Sequence, residues 1–210
     1  MAQGWYDLPP GIEGYTAYQQ RLRVVIDSRE DRPAPGHGVR IEGFVDQGFD
    51  LEEPIDRRWI RYGGALGGFL DVGNNRVLGL WGLVRLADPL GSEPVPFVEQ
   101  IALGGEPLLM AGFLRGALRG RSAAVATLEY RYPIWVFLDG SLHFSVGNVF
   151  DEHFEDFDVE RLRMSFGLGF RSIADRDQSF NVLVAFGSEP FVTGANIDSV
   201  RIVVGSQQGF

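Results

Sequence analysis

Apolar and polar residues alternate with a period of two along most of the chain. Between Thr127 and Tyr132, the apolar Leu128, Tyr130 and Tyr132 interleave with Thr127, Glu129 and Arg131, which predicts a strand with one apolar and one charged face. Pro133 is expected to end it. Upstream, Leu22, Val24 and Ile26 alternate with Arg21, Arg23 and Asp27, and Val39, Ile41 and Val45 with Arg40, Glu42 and Asp46. Downstream, Leu142, Phe144 and Val146 alternate with His143 and Ser145, and Met164 to Phe170 with Arg163, Ser165, Gly167, Gly169 and Arg171. Two last runs, Phe180 to Phe186 and Val200 to Val204, keep the same rhythm.

The segments between these runs fit a meander of hairpins. Residues 58–71 read as a glycine-rich strand and Gly73-Asn74-Asn75 as a tight turn. The return strand VLGLWGLVRLA is apolar on both faces near its middle, so something is expected to cover its inner side. GFDLEEPID reads as a polar loop, and DEHFEDFD and SEPFVTGANID as long polar connections. Residues 1–17, with Pro9, Pro10 and three glycines, read as a lead-in, and 18–210 as one β domain. The runs number about nine, four before a long segment from Asp88 to about Arg121 and five after it. Since antiparallel barrels close with even numbers, the expectation is an antiparallel barrel of about eight strands with the first run outside the meander.

Alternation alone is met equally by a soluble β-sandwich or lipocalin-like barrel with its leucines inside, and by a transmembrane β-barrel with its leucines in lipid. Three features favour the membrane barrel. The apolar face stays aromatic or branched through five successive strands, while the other carries small residues and arginines. Short and long connections alternate, and the chain ends on Phe210, a common C-terminal signal of such barrels.

Composition narrows the function. The 28 glycines and 16 phenylalanines suit closely packed strands, and no apolar run is long enough for a transmembrane helix. A net charge of −9 argues against nucleic acid as a partner. The absence of cysteine excludes disulfides and thiolate chemistry. MAQGWYDLPP lacks the basic and apolar regions of a signal peptide, so an exported protein is expected to be represented here by its mature chain. The acidic run Asp151 to Asp158 lacks calcium-loop spacing and reads as a solvated loop. His37, His143 and His153 have no metal-ligand spacing, and no serine sits in a nucleophile elbow. The expectation is no enzyme, no metal and no cofactor. Inward arginines such as Arg23, Arg40, Arg131, Arg163, Arg171 and Arg201 are expected to pair mainly with Asp27, Glu42, Asp46 and Glu129.

Several of these segments resemble the outer-membrane assembly and secretion superfamily of BamA and TamA, the bacterial surface antigen family. Leu114-Arg115-Gly116 followed by LEYRYPI looks like its inward-folded loop and the next strand. RMSFGLGFR, with Ser165, Gly167, Gly169 and Arg171, resembles its S-x-G-x-G-x-R strand; SVGNVF and DSREDRPAPG resemble a further strand and a periplasmic turn. The resemblance covers the later half of the usual barrel and no POTRA module. It implies a bacterial outer-membrane location, with Arg115 reaching across the lumen to Glu129. Ser145 stands where a second carboxylate is usual, and Ala117 where an aromatic is. The implied function is insertion or translocation of proteins or lipids, with outer-membrane lipids, client barrels and a homo-oligomer as partners. The alternatives are a passive structural barrel plugged by its own loop and a soluble barrel binding an apolar ligand.

Overall fold

A computed structural model describes residues 9–30, 36–106, 109–172 and 178–208. The chain is built from strands β1 (Ala17–Asp27), β2 (Gly38–Asp50), β3 (Arg58–Asp71), β4 (Val77–Pro89), β5 (Ile101–Leu103), β6 (Leu118–Gly120), β7 (Ser122–Trp135), β8 (Leu138–Phe150), β9 (Arg163–Ser172), β10 (Gln178–Ser188) and β11 (Ile197–Gln208). Nine of them form one meandering sheet in the order β1-β2-β3-β4-β7-β8-β9-β10-β11; β5 and β6 pair with each other inside the long loop. Every neighbouring pair in the large sheet is antiparallel. Among the described residues, β1 and β11 each pair on one side only.

Among the described residues, the expected eight strands are therefore corrected to nine in the main sheet and eleven in all. The even count came from assuming closure. Without a β1–β11 ladder no parity is imposed, and β1 joins the meander by pairing with β2 along its whole length, from Ala17↔Asp50 to Asp27↔Arg40. A second correction concerns Pro133, which lies inside β7 opposite Asp139 rather than ending it. A register shift between Pro133 and Trp135 absorbs the missing N–H donor. Strand β2 also runs on to Asp50, so the polar loop after it is shorter than GFDLEEPID. The turn at Gly73-Asn74-Asn75 matches its sequence signal: Asn74 and Asn75 adopt φ of 56° and 57°, the left-handed pair a tight hairpin requires.

The distribution of side chains is inverted relative to a soluble protein. On β7, Leu128 is 45% exposed while its neighbour Glu129 is 5% exposed. The same holds across the sheet: Leu22, Val24, Ile26, Leu66, Leu80, Phe144, Leu168, Phe170, Val200 and Ile202 are all exposed. Arg40, Asp46, Thr127, Arg131, Ser145 and Ser165 are buried on the other face. A continuous apolar outer face is costly in water and favourable in lipid, so the soluble-barrel alternatives fail on this face.

The inner face is covered by the segment between β4 and β7. Its Val95, Ile101, Leu103, Met110 and Phe113 form one buried cluster with Trp59, Ala87, Ala123 and Val125 of the sheet. This is the inner cover anticipated for the return strand, where Leu83 packs against that cluster. The lead-in is tied to the same segment: Phe97 N–H donates to the Pro10 carbonyl (2.8 Å), and Tyr15 donates to Glu99 (3.0 Å).

Candidate functional site: a loop docked on the inner wall

The inward loop reaches the far wall through Ala111-Gly112-Phe113. These residues are buried, and Met110 before them is fully buried with a left-handed φ of 67°, a conformation non-glycine residues seldom adopt. The Gly112 N–H donates to Ser165 Oγ of β9 (2.9 Å), and Ser199 Oγ of β11 donates to the Gly112 carbonyl (2.8 Å). The Arg201 guanidinium donates to the Phe113 carbonyl. Arg163 Cζ lies 5.8 Å from the centre of the Phe113 ring, a cation–π contact. Only glycine fits at 112, because a Cβ there would run into the Phe186 backbone. Gly187 similarly makes room for Phe113, whose ring would lie 2.9 Å from an added Cβ.

The expected motif is placed differently. Leu114 and Arg115 are exposed, and Gly116 supplies a turn with φ of 75°. Arg115 forms no ion pair with Glu129 among the described residues. The Gly–aromatic pair that enters the lumen is Gly112-Phe113, and the residue preceding it is Ala111, so the loop tip brings no cation to the wall.

Glu129 is instead neutralised by the wall itself. Arg131 Nε lies 3.6 Å from its Oε2, and His143 Nε2 and Arg171 Nη1 lie 3.5 and 4.0 Å from its Oε1. Arg171, the last residue of the β9 motif, thus serves the carboxylate that Arg115 was expected to serve. Ser145 is buried and its hydroxyl lies 2.9 Å from that of Thr127 on the adjacent strand. Of the remaining motif residues, Ser165 holds the loop tip, while Gly167 and Gly169 sit where a Cβ would press on the β10 backbone. Phe210 lies outside the described residues.

Four arginines of β1 to β3, Arg21, Arg23, Arg40 and Arg61, pair with carboxylates as the alternation suggests. Arg23 makes a two-pronged contact with Glu42 (2.8 and 2.6 Å), and Arg40 lies 3.7 Å from Glu42 and 3.9 Å from Asp27. Arg21 and Arg61 share Asp46, and Arg61 also meets Glu99 of the loop (2.8 Å). Burial and the adjoining Glu99 carboxylate push the Tyr15 hydroxyl well above its usual pKa.

At the end of the sheet that carries the long connections, a polar knot joins the loop exit to the β8–β9 connection. Arg121 donates to Glu152 (2.7 Å) and lies 3.4 Å from Asp88, whose other oxygen is 3.0 Å from both Tyr62 Oη and His153 Nε2. Ligand-type atoms of Asp88, Glu152 and His153 lie within 4.8 Å of one another. Sequence spacing could not find this group, since Asp88 lies 64 positions before the adjacent Glu152 and His153 and only the fold brings it to them. Arg121 already compensates both carboxylates, which makes the knot an ion-pair clasp.

A lipid-facing antiparallel sheet whose polar inner wall is plugged by its own loop defines the chain as a β-barrel protein of the outer-membrane type. The Omp85 superfamily domain matches residues 14–174, and the chain belongs to that superfamily. Its fold is similar to a solved structure of BamA from Haemophilus ducreyi lacking POTRA domains 1–3, with a TM-score of 0.67 at 14% identity. The match covers 90% of this chain and 42% of that one, so the chain spans less than half the length of that relative. No curated protein matches the chain. Superfamily membership and fold place it in the bacterial outer membrane.

Proposed function

We propose that the chain is a non-enzymatic outer-membrane element that lowers the barrier for inserting or translocating proteins or lipids. The observation that carries this reading is the pair of open edges, β1 and β11, each with backbone donors and acceptors unmatched on one side among the described residues. In a bilayer such groups have no water to satisfy them, so an edge is a template for a strand arriving from another segment or client. Membership of the Omp85 superfamily supports the same reading. The test is reconstitution into liposomes, scored for folding of an added client barrel, for lipid scrambling and for ion conductance. Acceleration of client folding or scrambling over empty liposomes is expected.

The second reading is a passive barrel wall plugged by its own loop. It is favoured by the number of independent ties on the loop tip, from Ser165, Ser199 and Arg201. Liposomes that show neither client folding nor scrambling nor conductance would select it.

A further inference from the structure

We propose that the inner wall carries a binding site for a small oxyanion, a free phosphate or carboxylate, anchored by the Arg85 guanidinium. Arg85 projects from β4 to the inner face, between Leu83 and Ala87. Among the described residues it makes neither a hydrogen bond nor an ion pair; its contact is with the Phe44 ring, 5.7 Å from Cζ to the ring centre. Its Nε is closed off from solvent and has no acceptor. Arg40 and Arg171 share such a buried Nε, but they lie within 4.0 Å of a carboxylate, and the lack of one sets Arg85 apart. Arg23 is fastened to Glu42, Arg61 to Asp46 and Glu99, and Arg171 to Glu129.

Arg85 faces a cavity of about 170 Å³ between the loop and strands β1 to β4 and β7. The space is ample for a phosphate or acetate ion. Its charged lining consists of Arg23, Arg40, Arg85, Glu42 and Glu106, a surplus of one positive charge. Both Glu42 oxygens are engaged by Arg23. Glu106 lines the same cavity from the loop and forms no ion pair with Arg85 among the described residues. A guanidinium with no carboxylate partner retains a demand for acceptors, and its fork matches the oxygen pair of a carboxylate or phosphate. Thr127 on the same lining adds a hydroxyl that can donate to the guest. An oxyanion in this cavity would neutralise the surplus charge and supply those acceptors.

The experiment uses the full chain folded in detergent. Binding of radiolabelled inorganic phosphate is measured by equilibrium dialysis at constant ionic strength, with acetate as competitor. A short-chain phosphatidylglycerol, below its micelle concentration, tests whether a lipid headgroup competes for the same site. Saturable phosphate binding displaced by acetate is expected, with R85Q weakening it at least about tenfold, the scale of one lost charge-assisted contact. Should R85Q fail to fold, R85K keeps the charge without the fork and is expected to weaken binding, while E106Q strengthens it by removing a competing carboxylate from the lining. Competition by the lipid at lower concentration than acetate would assign the site to headgroups and overturn the free-ion assignment. Absence of saturable binding to the folded wild type, or unchanged binding in R85Q or R85K, overturns the site itself.

Discussion

Glu129 and Arg115 have exchanged the importance that their sequence context gives them. Glu129 is buried among Arg131, His143 and Arg171, so removing its carboxylate takes a buried counter-charge out of a cluster of basic side chains. We predict that E129A lowers folding stability by about 3–5 kcal/mol, the usual cost of breaking a buried ionic group, measured as the urea midpoint of the heat-modifiable folded band. R115A is predicted to shift it by less than about 0.5 kcal/mol, because Arg115 is an exposed residue of a turn. The direction of Glu129 was legible in sequence, since period-two alternation fixes which side chains share a face. Its partners were not. Arg171 reaches it from β9, two strands away, and no local pattern reports which of several inward arginines will lie nearest.

At the scale of the loop, stability rests on shape and backbone hydrogen bonds. Phe113 fills the space left by Gly187 and is nearly fully buried, so F113A is predicted to cost about 3–5 kcal/mol. S165A removes the acceptor of the Gly112 N–H and should cost about 1–3 kcal/mol, because that donor is then buried unmet. Both are measurable by the same urea titration, and protease access to the loop should rise in parallel. The lead-in supplies a pH signature. The Tyr15 pKa is raised in the folded protein above the unfolded value of about 10, so the neutral hydroxyl is the form that folding favours. Its contribution is complete below about pH 10 and is lost as pH rises through the folded pKa. Y15F should flatten the alkaline fall in melting temperature relative to wild type. The sequence announced a long connection before the last five strands and an inner cover for the return strand. It could not mark Ala111-Gly112-Phe113 as the docking tip. That role is assigned by Ser165, Phe186, Ser199 and Arg201, more than 50 positions downstream, while the local Leu114-Arg115-Gly116 carries the stronger pattern.

Across the whole molecule, the strand pattern was the most legible feature, because one residue in two must face lipid and the other must not. Pairing of the first run and the continuation of β7 past Pro133 were less so, since both depend on neighbours rather than on the strand's own residues. The eight antiparallel pairings also settle the sense in which the two outermost strands run. Nine alternating directions begin and end alike, so β1 and β11 point the same way across the membrane. Two copies inserted with the same orientation can therefore meet at these edges only as parallel neighbours. An antiparallel closure needs an odd number of further strands between β11 and β1. A partner that contributes an odd number of strands would pair antiparallel with both edges at once.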